Sequence, residues 1–547
     1  MFSSSRHIGR TFSSKQTKYY FKTRERSFYT LFNKEKIQKL SIEHVPTPLL
    51  CSIRLIIAFI GFFGMIIHFS QKSNVSIALV CMVNHSAIDS RYVNTTSPSN
   101  VINSNECSQI KKQHNTDGPF VWSKDTQGLI LGAYFWGYII TQIPAGYLAN
   151  RFGARFIFSA AIFVSSSATL LVPISARVDW IIFAVLQIII GVAHGTIWPC
   201  LLVTASNWIP THERGMLMSI ITTGSPVGNI FALSTGGLMC SWNFLDGWPL
   251  IFYTTGSMGL IWSLVWIWFY RNSPTSHRFI SSTEKDFILQ HTQHRLSKNK
   301  NDDDGNAKFH APWRAIFTSR ACWALFIIHT CSNYGTYTFL TSIPSYMSDV
   351  LKFDVKSNGI LSASPYFGIW LNTLFTGAIA DRIIRKRILT ITHTRKLFSF
   401  LGSILPAVIL VGLAFLTCQS KYFAVLLLII GMTVNAFSFG GGFLLVANDI
   451  APAYAGIVFG ISNTFATLPG IISTYVVGAL TDKDPGNWRI VFFICSSIYV
   501  FGTVIFLLFG SSEIQPWAMK HVHNDEVSHD LLSKQSEQSS LKTIVKT

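Results

Sequence analysis

The chain has 547 residues, of which 49% are hydrophobic and 13% are charged, with a formal net charge of +18 and a mean hydropathy of +0.36. Water-soluble domains of this size seldom combine so few charges with so much apolar sequence, so the composition favours a membrane protein. The basic charge lies mainly in the flanks and connections, which does not indicate nucleic-acid binding. Because no phosphate-binding loop, metal cluster or nucleophile motif stands out, we expect no enzyme, catalytic residue, cofactor or metal.

Twelve apolar runs follow one another along the chain, each near the roughly 20 residues that a helix needs to cross a bilayer core. We predict an all-α membrane protein with twelve transmembrane helices in two six-helix halves, residues 53–270 and 321–511. The runs cover about 55 to 80, 127 to 149, 156 to 174, 180 to 203, 216 to 240, 249 to 270, 321 to 344, 358 to 380, 397 to 417, 423 to 445, 455 to 480 and 490 to 511.

The distribution of basic residues predicts the orientation of the chain. Residues 1–50 contain ten Lys or Arg against three acids, and residues 271–320 contain nine against five. By the positive-inside rule the N-terminal tail (1–52) and the central linker (271–320) are cytoplasmic, and an even number of spans returns the C-terminal tail (512–547) to the same side. We expect the linker to be largely flexible. The Arg- and Ser-rich N-terminus also resembles a mitochondrial transit peptide, an alternative to a plain tail.

The first span contains a cation, since the stretch "GMIIHFSQKSNVSIALVCMV" (64 to 83) places Lys72 in an apolar run. A charge at mid-bilayer costs about 2.5 to 3.5 kcal/mol on insertion scales, so an intramembrane Lys normally faces a cavity or a partner. Facing a cavity, Lys72 would bind an anionic substrate, with Asn74 nearby. In the alternative, the span ends near Gln71 and Lys72 reaches the outer interface.

The outer loop between the first two spans, 84–124, is polar and faces a lumen or the exterior in this orientation. Asn84 and Asn94 each begin a glycosylation triplet there, so we expect a glycoprotein. The chain has nine cysteines, and their spacing indicates neither a disulfide framework nor a zinc site.

Span four carries Gln187 and His194, seven residues apart and therefore on one helix face. Imidazole titrates near neutral pH, so His194 is a candidate for proton coupling, and Gln187 for substrate binding. The alternative for His194 is a packing role, with a hydrogen bond to a neighbouring helix.

An internal repeat supports the two halves. "GYLANRFGAR" (146 to 155) follows span two, and "GAIADRIIRKR" (377 to 387) follows span eight. Charged residues at these cytoplasmic helix ends are predicted to form gate contacts during alternating access. The predicted gate or structural residues are Arg151, Arg155, Asp381 and Arg382, together with Glu213 and Arg214.

The repeated motif resembles the loop signature of the major facilitator superfamily. Longer runs resemble its anion/cation symporter family, which contains sialin, the vesicular glutamate transporters and the sodium-phosphate cotransporter-like proteins. These runs include "YFWGYIITQIPAGYLANRFGAR" (134 to 155), "NWIPTHERG" (207 to 215), "NGILSASPYFGIWL" (358 to 371) and "DIAPAYAGIVFGISNTFATLPGI" (449 to 471). The resemblance implies the twelve-helix facilitator fold and transport of anions.

The resemblance also bears on the pocket. The family's first-helix pattern R-x-N-x-S is matched here by Lys72, Asn74 and Ser76, and the family's Arg and Glu in helix four are replaced by Gln187 and His194. Further candidates for substrate contact are Tyr138 and Tyr337, which also suit packing or interfacial positions, and Asn463 and Thr464.

We expect a monomeric secondary active transporter in the lipid bilayer that moves a small organic anion, such as sialic acid or another acidic sugar or amino acid. Proton coupling and a lysosomal or other endomembrane location are the leading expectation. One alternative is a sodium-linked phosphate or organic-anion cotransporter of the plasma membrane. Another is a non-transporting sensor on a facilitator scaffold, because several pocket positions are altered.

Overall fold

The computed structural model describes residues 49–50, 52–84, 86–87, 118–210, 213–242, 244–290, 312–482 and 484–518. Twelve long helices within these residues correspond to the twelve predicted spans. They are α1 (Ile53–Met82), α2 (Lys124–Phe152), α3 (Ala154–Val178), α4 (Trp180–Trp208), α5 (Arg214–Cys240), α6 (Trp248–Phe269), α7 (Arg320–Asp349), α8 (Val355–Arg385), α9 (Ile391–Leu413), α10 (Cys418–Ile450), α11 (Ala455–Thr481) and α12 (Trp488–Phe509). The predicted all-α membrane fold is confirmed.

The ends of the helices follow from local chemistry. Ser52, Ser123 and Asp354 each accept a backbone N–H in the first turn of the helix that follows, which satisfies a donor that has no partner inside the helix. Helix α4 is interrupted at Gly195, where a Cβ would lie 2.6 Å from the carbonyl oxygen of Tyr138. The close approach of α2 to α4 therefore requires glycine at this position.

Nine of the helices in the described ranges are long and apolar enough to cross a membrane by length and composition. Three of the nine, α4, α5 and α10, contain short interruptions and are counted as single spans. Helices α2, α7 and α8 are more polar. In the folded chain their polar side chains turn inward, because a polar group in contact with lipid has no hydrogen-bond partner. Each of these three less apolar spans packs against a helix of the other half.

The two halves meet along three helix pairs. Helix α2 packs against α11, α5 against α8, and α1 against α7. Within the first half, α1 packs on α5 and α6, α2 on α4, and α3 on both α4 and α6. Helices α1 and α2 of the first half and α7 and α11 of the second therefore border the centre.

Among the described residues, the two halves pack more tightly at one end than at the other. We call the end that holds Met82 and Lys124 the outer end, following the predicted orientation, and the opposite end the inner end. A Cβ on Gly128 of α2 would lie 2.7 Å from the carbonyl oxygen of Thr474, and one on Gly237 of α5 would lie 2.7 Å from Cα of Gly359. Toward the inner end, a Cβ on Gly460 of α11 would meet no atom of the described residues within 4 Å. In the described part of the chain the centre is therefore closed toward the outer end and open toward the inner end.

One sequence-based expectation is corrected by the structure. Cys81 at the end of α1 and Cys240 at the end of α5 form a disulfide, with their Cα atoms 6.1 Å apart, although the cysteine spacing did not indicate one. Part of the predicted linker is folded, because residues 282–290 form a helix in which Ile288 is fully buried against the first half. Spacing along the chain gives no information about contacts between helix ends that are far apart in sequence.

Candidate functional site

Lys72 lies inside α1, ten residues before its end, which excludes the alternative in which the span stops near Gln71. Its side chain is half-buried and points toward the other half of the protein. Five aromatic rings surround the ammonium nitrogen at 4.6 to 5.5 Å from their centroids. We call this set the aromatic cage, and it consists of Phe69 on α1, Tyr134, Phe135 and Tyr138 on α2, and Tyr337 on α7.

The cage stabilises a charge that has left water. Each ring presents its electron-rich face to the ammonium group, an interaction of about 0.5 to 2 kcal/mol when the pair is desolvated. The nearest ring, that of Tyr337, comes from the second half, so Lys72 lies where the two halves meet. The rings of Phe135 and Tyr337 also contact each other, with centroids 4.7 Å apart.

His194 is fully buried beside the cage. Its Nδ1 lies 3.3 Å from the hydroxyl of Tyr134, and its Nε2 lies 3.2 Å from Oε1 of Gln71. The ring of His68, on α1, makes an edge-to-face contact with the His194 ring at 4.4 Å between centroids. Two imidazoles and one ammonium group therefore share a small volume between α1, α2 and α4.

A polar contact between the halves lies on the inner side of the cage. The Oε1 atom of Gln142, on α2, accepts hydrogen bonds from Asn463 Nδ2 at 3.1 Å and from Thr464 Oγ1 at 3.4 Å, both on α11. The Nε2 atom of Gln142 donates to Thr467 at 2.7 Å. The predicted pair Asn463 and Thr464 therefore faces the first half through a residue that sequence reasoning missed.

Two predicted substrate residues are buried outside the set of rings around Lys72. Asn74 is 1% exposed, and its amide nitrogen donates to Thr255 of α6 at 3.3 Å, which places it in the packing of the first half. Gln187 is buried two turns before His194 on α4, and its role in substrate binding stays a prediction. The structure thus brings Lys72, Tyr138 and Tyr337 together and separates Asn74 from them.

The predicted gate residues occupy different environments. Arg155 donates twice to the carbonyl oxygen of Ile267, and Glu213 forms an ion pair with Arg54 at 2.7 Å, so both act within the first half in this conformation. Arg151 donates to the hydroxyl of its neighbour Tyr147. Asp381 and Arg382 are exposed at the inner end. Arg214 is the first residue of α5. A gate role for these residues stays a prediction, because the inner end is open.

At the outer end, sequence reasoning missed the residues that join the halves. Lys124, in the first turn of α2, forms an ion pair with Asp349 at the end of α7, and its backbone N–H donates to Asp482 after α11. The glycosylation candidate Asn84 is half-buried near this end, and Oδ1 of its side chain accepts from the N–H of Ala87. The second candidate, Asn94, lies outside the described residues.

Comparison with known proteins gives concordant results. Residues 61–474 match the family model described as Major Facilitator Superfamily. Human sialin is 37% identical over 482 residues, covering 87% of this chain and 93% of sialin. A putative inorganic phosphate cotransporter of Drosophila melanogaster is 34% identical, covering 85% of this chain and 86% of the relative.

Solved structures agree on the fold. The inward-open xylose transporter XylE of E. coli superposes with a TM-score of 0.60 at 14% identity, covering 86% of this chain and 99% of XylE. At this identity the likeness concerns the fold alone. The relatives are transporters, which confirms the prediction of a transporter rather than an enzyme.

Proposed function

Because the chain belongs to the Major Facilitator Superfamily, and within it to the anion transporter family that includes sialin, we propose that it moves organic anions by alternating access. The substrate class is a small carboxylate such as sialic acid or another acidic sugar or amino acid. Transport is coupled to protons, and the protein acts as a monomer in a lysosomal or other endomembrane.

The observation that carries this proposal is that the middle of the twelve described helices contains a lysine and no acidic residue. The twelve helices contain four acidic residues, and each of them lies within a few residues of a helix end: Asp125, Asp349, Asp381 and Asp449. Lys72 is therefore the charge that a substrate meets at mid-membrane. A cation in a desolvated site attracts an anion far more strongly than it would in water, so the site selects against cations and neutral solutes.

The contacts of Lys72 with the aromatic cage support reversible binding of an anionic substrate. The aromatic cage stabilises the ammonium group while the site is empty, and a carboxylate that enters between the halves replaces cation–π contacts with a charge-assisted hydrogen bond. Lysine binds as a point charge and lacks the two-pronged geometry of arginine. The hydroxyl groups of Tyr138 and Tyr337 are placed to donate to the remaining oxygens of the substrate.

Movement of the substrate follows from the contacts between the halves. The outer end is closed by the α2–α11 and α5–α8 pairs, while the inner end is open. Rocking of the halves about the central site would open the outer end and close the inner one. The predicted gate residues at the inner end would then come together, which is the role that we propose for Asp381 and Arg382.

A sodium-linked phosphate carrier is the second candidate, favoured by the phosphate cotransporter of Drosophila melanogaster among the relatives. An ammonium group without a competing carboxylate would accept phosphate as readily as a carboxylate. The two candidates differ in the gradient that drives uptake. A proton gradient drives the first and a sodium gradient the second.

The test is a labelled-anion uptake screen on the purified full chain in proteoliposomes with imposed proton, sodium or voltage gradients. We expect saturable, acid-stimulated uptake of sialic acid or glutamate, and its loss in Lys72→Ala. Uptake in Lys72→Ala equal to that of the unmodified chain at equal protein content would remove Lys72 from the site. Binding without flux under every gradient would instead favour a sensor.

A further inference from the structure

The orientation of the Gln71 side chain is fixed by its neighbours. Its Nε2 atom lies 3.2 Å from the carbonyl oxygen of Thr255, and a carbonyl oxygen only accepts hydrogen bonds. The amide nitrogen must therefore face Thr255, which leaves Oε1 facing Ser165 at 2.9 Å and His194 at 3.2 Å. The His194 Nε2 atom thus faces an acceptor.

This arrangement selects one tautomer of neutral His194. An acceptor opposite Nε2 requires that Nε2 carry the hydrogen, so Nδ1 holds a lone pair. The hydroxyl of Tyr134, 3.3 Å from Nδ1, then donates its hydrogen to this lone pair. The site at which His194 would take up a proton is therefore occupied by Tyr134.

Tyr134 also faces the anion site. Its ring belongs to the aromatic cage, with the Lys72 nitrogen 5.5 Å from its centroid. A phenol has a single hydrogen to donate. The hydroxyl of Tyr134 can give that hydrogen to His194 or to an anion at Lys72, but not to both at once.

We propose that Tyr134 couples anion binding at Lys72 to proton binding at His194, an inference that rests on the transport function proposed above. An anion at Lys72 accepts the hydrogen bond that the Tyr134 hydroxyl had donated to His194, while the O–H bond itself stays intact, and Nδ1 of His194 then takes up one proton from solvent on the open side. The new Nδ1–H donates to the oxygen of Tyr134. One proton is bound with each anion, and both leave when the anion departs on the other side.

The surroundings of His194 make this coupling cooperative. The titratable groups that face it are His68 and Lys72 from α1 and Tyr134 and Tyr138 from α2, while α3 contributes hydroxyl groups. The ammonium group of Lys72 disfavours a positive charge on His194 while the site is empty. An anion at Lys72 offsets that repulsion. The exchange of hydrogen bonds and the electrostatic attraction therefore both favour simultaneous binding of the anion and the proton.

The test compares Tyr134→Phe with Tyr337→Phe in the full-length protein. Both variants keep an aromatic ring next to Lys72, but only Tyr134→Phe removes the hydroxyl that contacts His194. The first measurement is uptake of labelled sialic acid into proteoliposomes at about pH 5.5 and about pH 7.5, on either side of the ordinary histidine pKa. The second is the number of protons taken up when sialic acid is added to detergent-solubilised protein, followed with a pH dye.

We expect the acid stimulation of uptake to fall about three- to tenfold in Tyr134→Phe, the worth of one hydrogen bond, with fewer protons bound per anion. Tyr337→Phe keeps the pH profile and proton count even if its affinity changes. The inference is overturned if Tyr134→Phe retains the acid stimulation and the proton count of the unmodified chain. If the proposed transport function is wrong, the unmodified chain itself shows no saturable uptake. That result is distinct, and it overturns both the transport function and the coupling through Tyr134.

Discussion

The ammonium nitrogen of Lys124 lies 2.8 Å and 3.0 Å from the two carboxylate oxygens of Asp349. This ion pair joins the start of α2 in the first half to the end of α7 in the second, and both side chains are largely shielded from solvent. Together with the N–H bond from Lys124 to Asp482, it closes the outer end. Opening toward the outside requires that these contacts break.

Asp349→Asn should favour opening of the outer end. Removal of the negative charge leaves Lys124 with a neutral acceptor and weakens the closed state by about 1 to 3 kcal/mol. Thr474→Cys provides the reporter, because Thr474 is buried against α2 behind this ion pair. We expect faster labelling of this cysteine by a membrane-impermeant reagent applied from the outer side. Equal labelling rates with and without Asp349→Asn would show that the ion pair does not hold the closed state.

Arg54→Ala should destabilise the first half. The guanidinium group is fully buried between Glu213 and Glu284, and Glu284 also accepts the N–H groups of Ile53 and Arg54. Loss of the cation breaks both ion pairs at a buried position, which costs about 3 to 5 kcal/mol. The measurement is thermal unfolding of the purified protein in detergent.

The matched control for Arg54 is Arg177→Ala, which removes an arginine from an exposed ion pair with Asp246. Exposed pairs contribute about 0 to 1 kcal/mol, so the unfolding temperature should hardly change. Similar losses in the two variants would mean that burial of Arg54 does not determine its contribution.

The nearest ring of the cage gives a prediction about the empty site. Tyr337→Leu removes a ring 4.6 Å from the Lys72 nitrogen, whereas Tyr337→Phe keeps the ring and removes the hydroxyl. If the ring stabilises the charged form of Lys72, on which anion binding depends, Leu should reduce transport more than Phe, by up to roughly the 0.5 to 2 kcal/mol of one cation–π contact. The ratio kcat/KM for labelled sialic acid measures this. Equal losses would assign the effect to the hydroxyl.

The sequence predicts the helices because each span must satisfy its backbone internally and present apolar side chains to lipid. It also predicts that Lys72 and His194 lie in the membrane interior, since both interrupt apolar runs. It does not predict that Tyr134 and Gln71 join them. Those contacts depend on the rotation of α1, α2 and α4 about their own axes. A run of apolar residues does not indicate which face of its helix points toward a neighbour.

The same limit explains the other differences. Asn74 lies two residues after Lys72 and therefore points to another side of α1, where it meets Thr255. The partner of Glu213 is Arg54, 159 residues away, and nothing in the "NWIPTHERG" motif indicates it. Proximity along the chain predicts shared location in the membrane, but not a shared binding site.

Gly460→Leu should separate folding from transport, because Gly460 lies on α11 one turn toward the inner end from Thr464, whose side chain contacts Gln142 of α2. A Cβ at Gly460 would meet no atom of the described residues within 4 Å, and leucine has a higher helix propensity than glycine by roughly 0.5 to 1 kcal/mol, so the protein should fold as well as before. When the inner end closes, however, α2 must approach α11, and the larger side chain would hold the two apart.

The expected result for Gly460→Leu is normal thermal unfolding with a strongly reduced turnover of labelled anion. Gly128→Leu, on α2 at the outer end, is the control at a position where α2 and α11 already contact each other. There a Cβ would lie 2.7 Å from the Thr474 carbonyl oxygen, so the closed outer end itself is disturbed and a reporter at Thr474→Cys becomes accessible. Full turnover in Gly460→Leu would mean that α2 and α11 never close at the inner end, which is incompatible with rocking of the halves about Lys72.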